Sequence, residues 1–128
     1  MEQGQSNKRI LLIEDDQFLL NLIGPKIERE GFMLTIAKNG QEGLVEVTRS
    51  MPDLVLLDII LPDLNGFEIL EKIKADQSLA SIPVVILSNL SQPENIKRGQ
   101  ELGAIDYLVK VQHTPQDIVD KIKNLLGI

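Results

Sequence analysis

The chain alternates short apolar segments, several of them apolar at every position, with longer segments in which apolar residues recur every three or four positions. The apolar segments are rich in branched side chains and occupy residues 10–13, 33–37, 54–57, 84–87 and 105–109. Continuous apolar segments of this length are typical of strands buried on both faces, as in a parallel sheet covered by helices. The spacing of the intervening segments predicts amphipathic helices, so the chain repeats a strand–helix unit five times.

The predicted helix starts carry capping chemistry. Four segments place a short polar residue three positions before an acid: Asn39 with Glu42, Asn65 with Glu68, Ser91 with Glu94, and Thr114 with Asp117. Such a polar side chain accepts a backbone N–H of the first turn, and the acid interacts favourably with the helix dipole. Gly31 and Gly103 follow the segments predicted as the first and fourth helices, where glycine favours termination.

This alternation predicts the fold class. Five strand–helix units with short connections favour an α/β domain with right-handed crossovers. No Gly-x-Gly-x-x-Gly follows the first strand, so we expect a flavodoxin-like, doubly wound, five-stranded parallel sheet of order 2-1-3-4-5, with five helices on two faces. Functional groups in such sheets gather beyond the carboxyl ends of the strands.

Composition narrows the class of protein. The 128 residues suit one domain, which we predict at residues 8–128 after a flexible N-terminal tail at residues 1–7. With 13 basic and 19 acidic side chains the net charge is −6, which disfavours nucleic acid and anionic membranes as direct partners. Cysteine is absent and no apolar segment is long enough to span a membrane, so we expect a cytoplasmic protein.

Chemically reactive side chains follow the predicted strands. Glu14 and Asp15 come after the first, Asp58 after the third, Ser88 after the fourth and Lys110 after the fifth. Carboxylates that converge at one sheet edge raise one another's pKa unless a cation neutralises them, and oxygen ligands select Mg²⁺ or Ca²⁺. An acid after four apolar residues is costly to place without a functional reason, which singles out Asp58.

Ordinary roles explain several other residues. Asp16 stands where the first helix needs an N-cap, and we expect it to serve only there. His113 is the only histidine and is interpreted as a solvated loop residue. Tyr107 would also fit as core packing, and Ser88 as ordinary turn chemistry.

Four segments together form a specific pattern: Leu-Ile-Glu-Asp-Asp at 12–16, Leu-Leu-Asp-Ile-Ile-Leu-Pro-Asp-Leu-Asn-Gly at 56–66, Pro-Val-Val-Ile-Leu-Ser at 83–88 and Gly-Ala-Ile-Asp-Tyr-Leu-Val-Lys at 103–110. In order and spacing they resemble the receiver domain of two-component response regulators, over about residues 8–126. The resemblance implies a phosphoacceptor signalling module that works in the cytoplasm and turns over no independent substrate.

The resemblance also implies residue roles. Asp58 corresponds to the phosphoacceptor, and Glu14, Asp15, Asp58 and the backbone carbonyl of Ile60 to the ligands of Mg²⁺. The phosphodonor would be a histidine kinase or a histidine phosphotransfer protein.

Three further residues complete the implied switch. Lys110 corresponds to the phosphate-binding lysine, Ser88 to the switch hydroxyl, and Tyr107 to the aromatic residue that turns inward when Ser88 moves. The output face would comprise the fourth helix, the fifth strand and the fifth helix, with a phosphorylation-dependent homodimer as one use of it.

The residues after the switch hydroxyl and after the lysine both depart from the family pattern. The residue after the switch hydroxyl is usually small, and here it is Asn89. A proline with a cis bond often follows the lysine, and here Val111 follows it, which leaves open the conformation of that loop.

Other classes remain as alternatives. An aspartyl-phosphate phosphohydrolase needs a second acid two residues after the nucleophile, where this chain has Ile60. A flavin-binding module needs a hydroxyl-rich phosphate loop after the first strand, where Glu14 and Asp15 would repel phosphate. The domain could also act as a phosphorylation-independent interaction module, or be a fragment of a larger transcriptional regulator.

Overall fold

A computed structural model describes residues 7–128, so the predicted tail lies, except for Asn7, outside the described residues. Its central sheet is parallel, with the strand order β2-β1-β3-β4-β5. The strands are β1 (Arg9–Ile13), β2 (Met33–Ala37), β3 (Leu54–Leu57), β4 (Val84–Ser88) and β5 (Asp106–Val109). The predicted fold class and strand order are confirmed.

Five helices cover the sheet. They are α1 (Gln17–Arg29), α2 (Gly40–Ser50), α3 (Gly66–Ala75), α4 (Pro93–Glu101) and α5 (Pro115–Leu126), with a 3₁₀ turn at Lys110–Gln112 before α5. Helices α1 and α5 pack on one face, and α2, α3 and α4 pack on the other. Within residues 7–128, no helix has the length and apolar character needed to cross a membrane.

The strands separate two hydrophobic clusters. Leu11 and Ile13 of β1 face the cluster of α2, α3 and α4, whereas Ile10 and Leu12 face the cluster of α1 and α5. Successive side chains of a strand point to opposite faces, so a strand covered on both sides is apolar at every position. This is the physical reason for the continuous apolar segments.

Three of the four predicted N-caps are confirmed. Asn65 and Thr114 form complete capping boxes with Glu68 and Asp117. Asn39 accepts a hydrogen bond from the backbone of the third helical residue, 2.8 Å away. Helices α2, α3 and α5 therefore begin where the sequence predicted.

The prediction for α4 was wrong by one residue. Its N-cap is Gln92, which makes no side-chain capping bond, and Pro93 is the first helical residue. A residue before proline is driven out of the helical region, and Gln92 is extended with ψ 140°. Ser91 therefore lies outside the helix.

Candidate functional site

Three carboxylates meet where β1 and β3 end. The two strands are neighbours in the sheet, with Ile13 paired to Leu57, so the residues that follow them emerge side by side. Glu14, Asp15 and Asp58 each place a carboxylate oxygen within 4.8 Å of the others. Glu14 is 1% exposed and Asp58 5%, whereas Asp15 faces solvent. The predicted convergence of acids is confirmed.

Lys110 joins two of these acids. Its Nζ lies 2.8 Å from Oε1 of Glu14 and 2.9 Å from Oδ2 of Asp58. The lysine follows β5, two strands away from β3, so its long side chain reaches across the end of β4 to the carboxylates. The ammonium partly neutralises the cluster, as its position in the sequence predicted.

Burial sets the electrostatics of the cluster. Loss of water raises the pKa of Glu14 to about 7; the charge of Asp58 acts in the same direction, while Lys110 and the backbone N–H of Asp16 oppose it. Burial by itself would lower the pKa of Lys110, but its contacts with Glu14 and Asp58 outweigh that effect and raise it. At neutral pH the lysine is therefore charged.

The backbone around Asp58 holds its carboxylate in place. Oδ1 accepts a hydrogen bond from the N–H of Ile59 at 2.7 Å, while the other oxygen faces Lys110. The loop then folds back, with a 2.8 Å hydrogen bond from the N–H of Gly66 to the carbonyl of Ile59. A Cβ at Gly66 would overlap the carbonyl oxygen of Asp58, so only glycine permits this return.

Ser88 and Tyr107 meet at the start of the β4–α4 loop. Ser88 is fully buried, and its hydroxyl accepts a 3.3 Å hydrogen bond from the N–H of Leu90. The buried Tyr107 donates its hydroxyl to the carbonyl of Leu90 at 2.6 Å. Burial raises the pKa of Tyr107 and the charge of Asp58 adds to the rise, whereas the Ser88 hydroxyl acts against it. The two residues predicted as a switch are therefore coupled through one backbone segment.

Helix α4 packs closely against Ile86 and Tyr107 because of a glycine that no sequence pattern identified. A Cβ at Gly99 would lie 2.6 Å from Cδ1 of Ile86 and 3.1 Å from Cδ2 of Tyr107. Any larger residue would push the helix or the tyrosine ring away. No local sequence pattern distinguishes this glycine from an ordinary weak point in a helix.

A side-chain contact connects the two loops beside the site. The Oδ1 of Asn89 accepts a 3.1 Å hydrogen bond from the N–H of Val111, whose side chain is 80% exposed. All peptide bonds among residues 7–128 are trans, which answers the question left open by the valine after Lys110. Asn89 is thus a link between the β4–α4 and β5–α5 loops.

Asp63 is a second residue that the sequence analysis missed. Its carboxylate accepts hydrogen bonds from the N–H groups of Gly40 at 2.7 Å and Gln41 at 2.9 Å, which lower its pKa. Asp63, which lies in the β3–α3 loop, therefore caps the start of α2. A partner 23 positions away leaves no local signal in the sequence.

The donor set fits a hard divalent cation. Two buried carboxylates and one exposed carboxylate supply the oxygen ligands that Mg²⁺ prefers. Asp16 takes no part, because its side chain caps α1 by accepting from the N–H groups of Phe18 and Leu19. That confirms the ordinary role predicted for it.

Comparison with known proteins identifies relatives. A family profile described as the response regulator receiver domain matches residues 10–123. The alkaline phosphatase synthesis transcriptional regulatory protein PhoP of Bacillus subtilis is 31% identical over 120 residues, which are 94% of this chain and 49% of PhoP. The chain thus spans about half the length of that curated relative.

Two solved structures are also similar. A CheY-like response regulator receiver domain protein from Methanospirillum hungatei superposes with a TM-score of 0.87 and 33% identity, covering 95% of each chain. The phosphorylated cyanobacterial phytochrome response regulator RcpA superposes with a TM-score of 0.82 and 29% identity, covering 94% of each chain. With the family profile spanning most of the chain, this protein belongs to the receiver domain family of two-component response regulators.

Proposed function

We propose that this domain accepts a phosphoryl group on Asp58 from a phosphohistidine of a histidine kinase or histidine phosphotransfer protein. The observation that carries the proposal is the position of the Asp58 carboxylate, buried between the Lys110 ammonium and two further acids at the end of the sheet. An oxygen of Asp58 attacks phosphorus, and the electrons of the breaking P–N bond return to the imidazole. That the similar response regulator RcpA has been solved in a phosphorylated form supports phosphorylation of this domain.

Mg²⁺ is the proposed cofactor, held by Glu14, Asp15, Asp58 and the carbonyl of Ile60. It would supply positive charge to the phosphoryl oxygens, which catalysis of phosphoryl transfer chiefly requires. Lys110 adds a second positive charge that already touches Asp58. Asp15 is exposed and keeps the cation site open to solvent.

We propose that phosphorylation is read out through Ser88 and Tyr107. A phosphoryl group on Asp58 adds negative charge and acceptor oxygens close to the Ser88 hydroxyl. Ser88 then reorients toward it and gives up its hydrogen bond from the N–H of Leu90, the residue whose carbonyl holds Tyr107. The signal thereby reaches α4, β5 and α5.

The partners follow from the family and remain proposals for this chain. A histidine kinase or phosphotransfer protein would supply the phosphoryl group, and a protein target or a homodimer through α4, β5 and α5 would receive the signal. We propose no independent substrate turnover and no direct nucleic acid contact by this domain, whose net charge is −6.

Intact mass spectrometry tests the proposal. Incubation with acetyl phosphate and Mg²⁺ is expected to add one phosphoryl group to wild type, and none when EDTA replaces Mg²⁺ or in Asp58→Asn. Asp63→Asn is the matched control, since it removes an acid five residues away that caps a helix, and it should label like wild type.

Two results would contradict the proposal. Label on Asp58→Asn would place the acceptor elsewhere. Absence of label on wild type, with acetyl phosphate and also with a phosphorylated histidine phosphotransfer protein, would favour the phosphorylation-independent interaction module.

A further inference from the structure

The outer edge of β2 is an open strand edge. β2 is the first strand of the sheet order, and β1 pairs with it on one side. The N–H of Met33 donates to the carbonyl of the residue before β1, and the carbonyl of Ala37 accepts from the N–H of the residue after β1. The odd-numbered residues of β2 therefore direct their backbone hydrogen bonds toward β1. In a parallel ladder the alternate residues point their N–H and C=O groups the other way, which places those of Leu34 and Ile36 on the outer edge. No described strand pairs with that edge.

The side chains around this edge are apolar and accessible. Met33 is 56% exposed and Ile36 38%, and Leu34 is half-buried. A groove of ≈ 700 Å³ runs beside the strand on the α1 side, and one of ≈ 510 Å³ on the α2 side. Charges, proline or a covering element usually protect a strand edge, whereas this strand has no charged residue between Met33 and Ala37.

We propose that the β2 edge binds the β2 edge of a second copy of this chain, in antiparallel orientation about a twofold axis at Thr35. In that register Leu34 of one copy lies opposite Ile36 of the other. The outward N–H and C=O groups of both residues then form hydrogen bonds with the same groups of the second copy. Leu34 and Ile36 form apolar cross-strand pairs on one face, and Thr35 meets Thr35 on the other. The two sheets join into one of ten strands.

The charges beside the strand favour a second copy over another partner. Lys38 follows the carboxyl end of β2, and its Nζ bonds Gln17 at the start of α1 at 3.0 Å. Helix α1 therefore runs antiparallel to β2, which places Glu28 of the same groove near the amino end of the strand. A twofold axis brings Lys38 of each copy toward Glu28 of the other.

The groove on the α2 side is lined by Glu46 and Arg49, which pair with each other at 3.4 Å. Charge complementarity between the two copies therefore comes from Lys38 and Glu28.

Sedimentation equilibrium without Mg²⁺ or phosphodonor tests the interface separately from the proposed phosphoryl transfer. We expect a reversible dimer of wild type at protein concentrations up to about 1 mM, the range of weak association. Ile36→Lys should raise the dimer Kd by about tenfold or more, because it places a charge on the paired edge. Val45→Lys is the matched control, since Val45 is 53% exposed on α2, and it should leave Kd unchanged.

Charge reversal tests the register. Lys38→Glu should weaken the dimer about two- to fivefold for each exposed pair that it breaks. The double variant Lys38→Glu with Glu28→Lys should restore it. In wild type, the amides of Leu34 and Ile36 should gain protection from hydrogen exchange as protein concentration rises.

Each remaining outcome overturns the proposal. A monomer at every concentration means that the edge takes a different strand or none. A dimer that survives Ile36→Lys lies on another surface, such as the β5 side of the sheet. Failure of the double charge reversal to restore the dimer excludes the antiparallel register.

Discussion

Glu14 holds a carboxylate where almost no water reaches it. Its pKa is raised from 4.5 to about 7 in the fold, so the folded state binds this proton more tightly than the unfolded chain does. A group whose pKa is higher in the folded state than in the unfolded state lowers the stability of the fold as the pH rises from the unfolded-state value to the folded-state value. The fold therefore tolerates Glu14 best when it is protonated or when a cation is present.

Unfolding measurements at a series of pH values test whether the Glu14 carboxylate destabilises the fold. In EDTA, the unfolding free energy of wild type should fall relative to that of Glu14→Gln between pH 4.5 and pH 7.5, by up to about 3 kcal/mol, since 2.5 pKa units correspond to that energy. Urea unfolding at each pH gives the difference. Parallel pH profiles for the two proteins would mean that the Glu14 carboxylate carries no such penalty.

Lys110 is the cation that the acids of the site share. Lys110→Met should lower the unfolding free energy by about 2–4 kcal/mol in EDTA, because it leaves Glu14 and Asp58 facing each other without a positive charge. Mg²⁺ should restore part of this loss, and should stabilise the variant more than wild type. Urea unfolding with and without Mg²⁺ measures both effects.

An exposed ion pair supplies the control. Lys121 contacts Asp106 at 2.9 Å, with 36% and 31% of the two side chains exposed. Lys121→Met should cost less than about 1 kcal/mol. An equal loss in Lys110→Met and Lys121→Met would show that burial of the acidic cluster has no energetic consequence.

Among the five described helices, α4 is the one whose first turn has no side-chain cap. Its N-cap Gln92 makes no capping bond, whereas Thr114 caps α5 through a complete capping box. The start of α4 lies next to the loop that holds Ser88 and the carbonyl bonded by Tyr107. A weakly capped helix at this position is easier to displace when that loop moves.

A new cap should stabilise α4. Gln92→Asp is expected to raise the unfolding free energy by about 0.5–1 kcal/mol, because a short carboxylate at the N-cap can accept a first-turn N–H and faces the positive end of the helix dipole. Thr114→Ala, which removes an existing cap, should lower it by about 1 kcal/mol. Thermal unfolding measures both; no gain in Gln92→Asp would show that Pro93 already fixes the start of α4.

Within the whole molecule, the two hydrophobic clusters share the same five strands. Loss of either cluster exposes one face of the sheet, so we expect the described domain to unfold as one cooperative unit. The chain has one tyrosine and no tryptophan, so Tyr107 fluorescence reports β5 and its contact with the β4–α4 loop. Urea unfolding followed by Tyr107 fluorescence and by far-ultraviolet circular dichroism should give the same midpoint. Separate midpoints would show that α4 and β5 unfold independently.

The amino-acid sequence by itself determined the elements, the order of the sheet and the end of the sheet at which the reactive side chains meet. These features are local or follow from a general rule: apolar segments predict buried strands, and residues that follow parallel strands emerge at one edge. The positions of Glu14, Asp58 and Lys110 were predictable for that reason.

Only the tertiary structure decided which distant groups touch. The reach of Lys110 to two acids, the capping of α2 by Asp63 and the close approach of Gly99 to Tyr107 each join residues from different elements. The distances between such residues depend on how helices pack on the twisted sheet, and no periodicity along the chain encodes them. The raised pKa of Glu14 belongs to the same class, because burial is a property of the assembled fold.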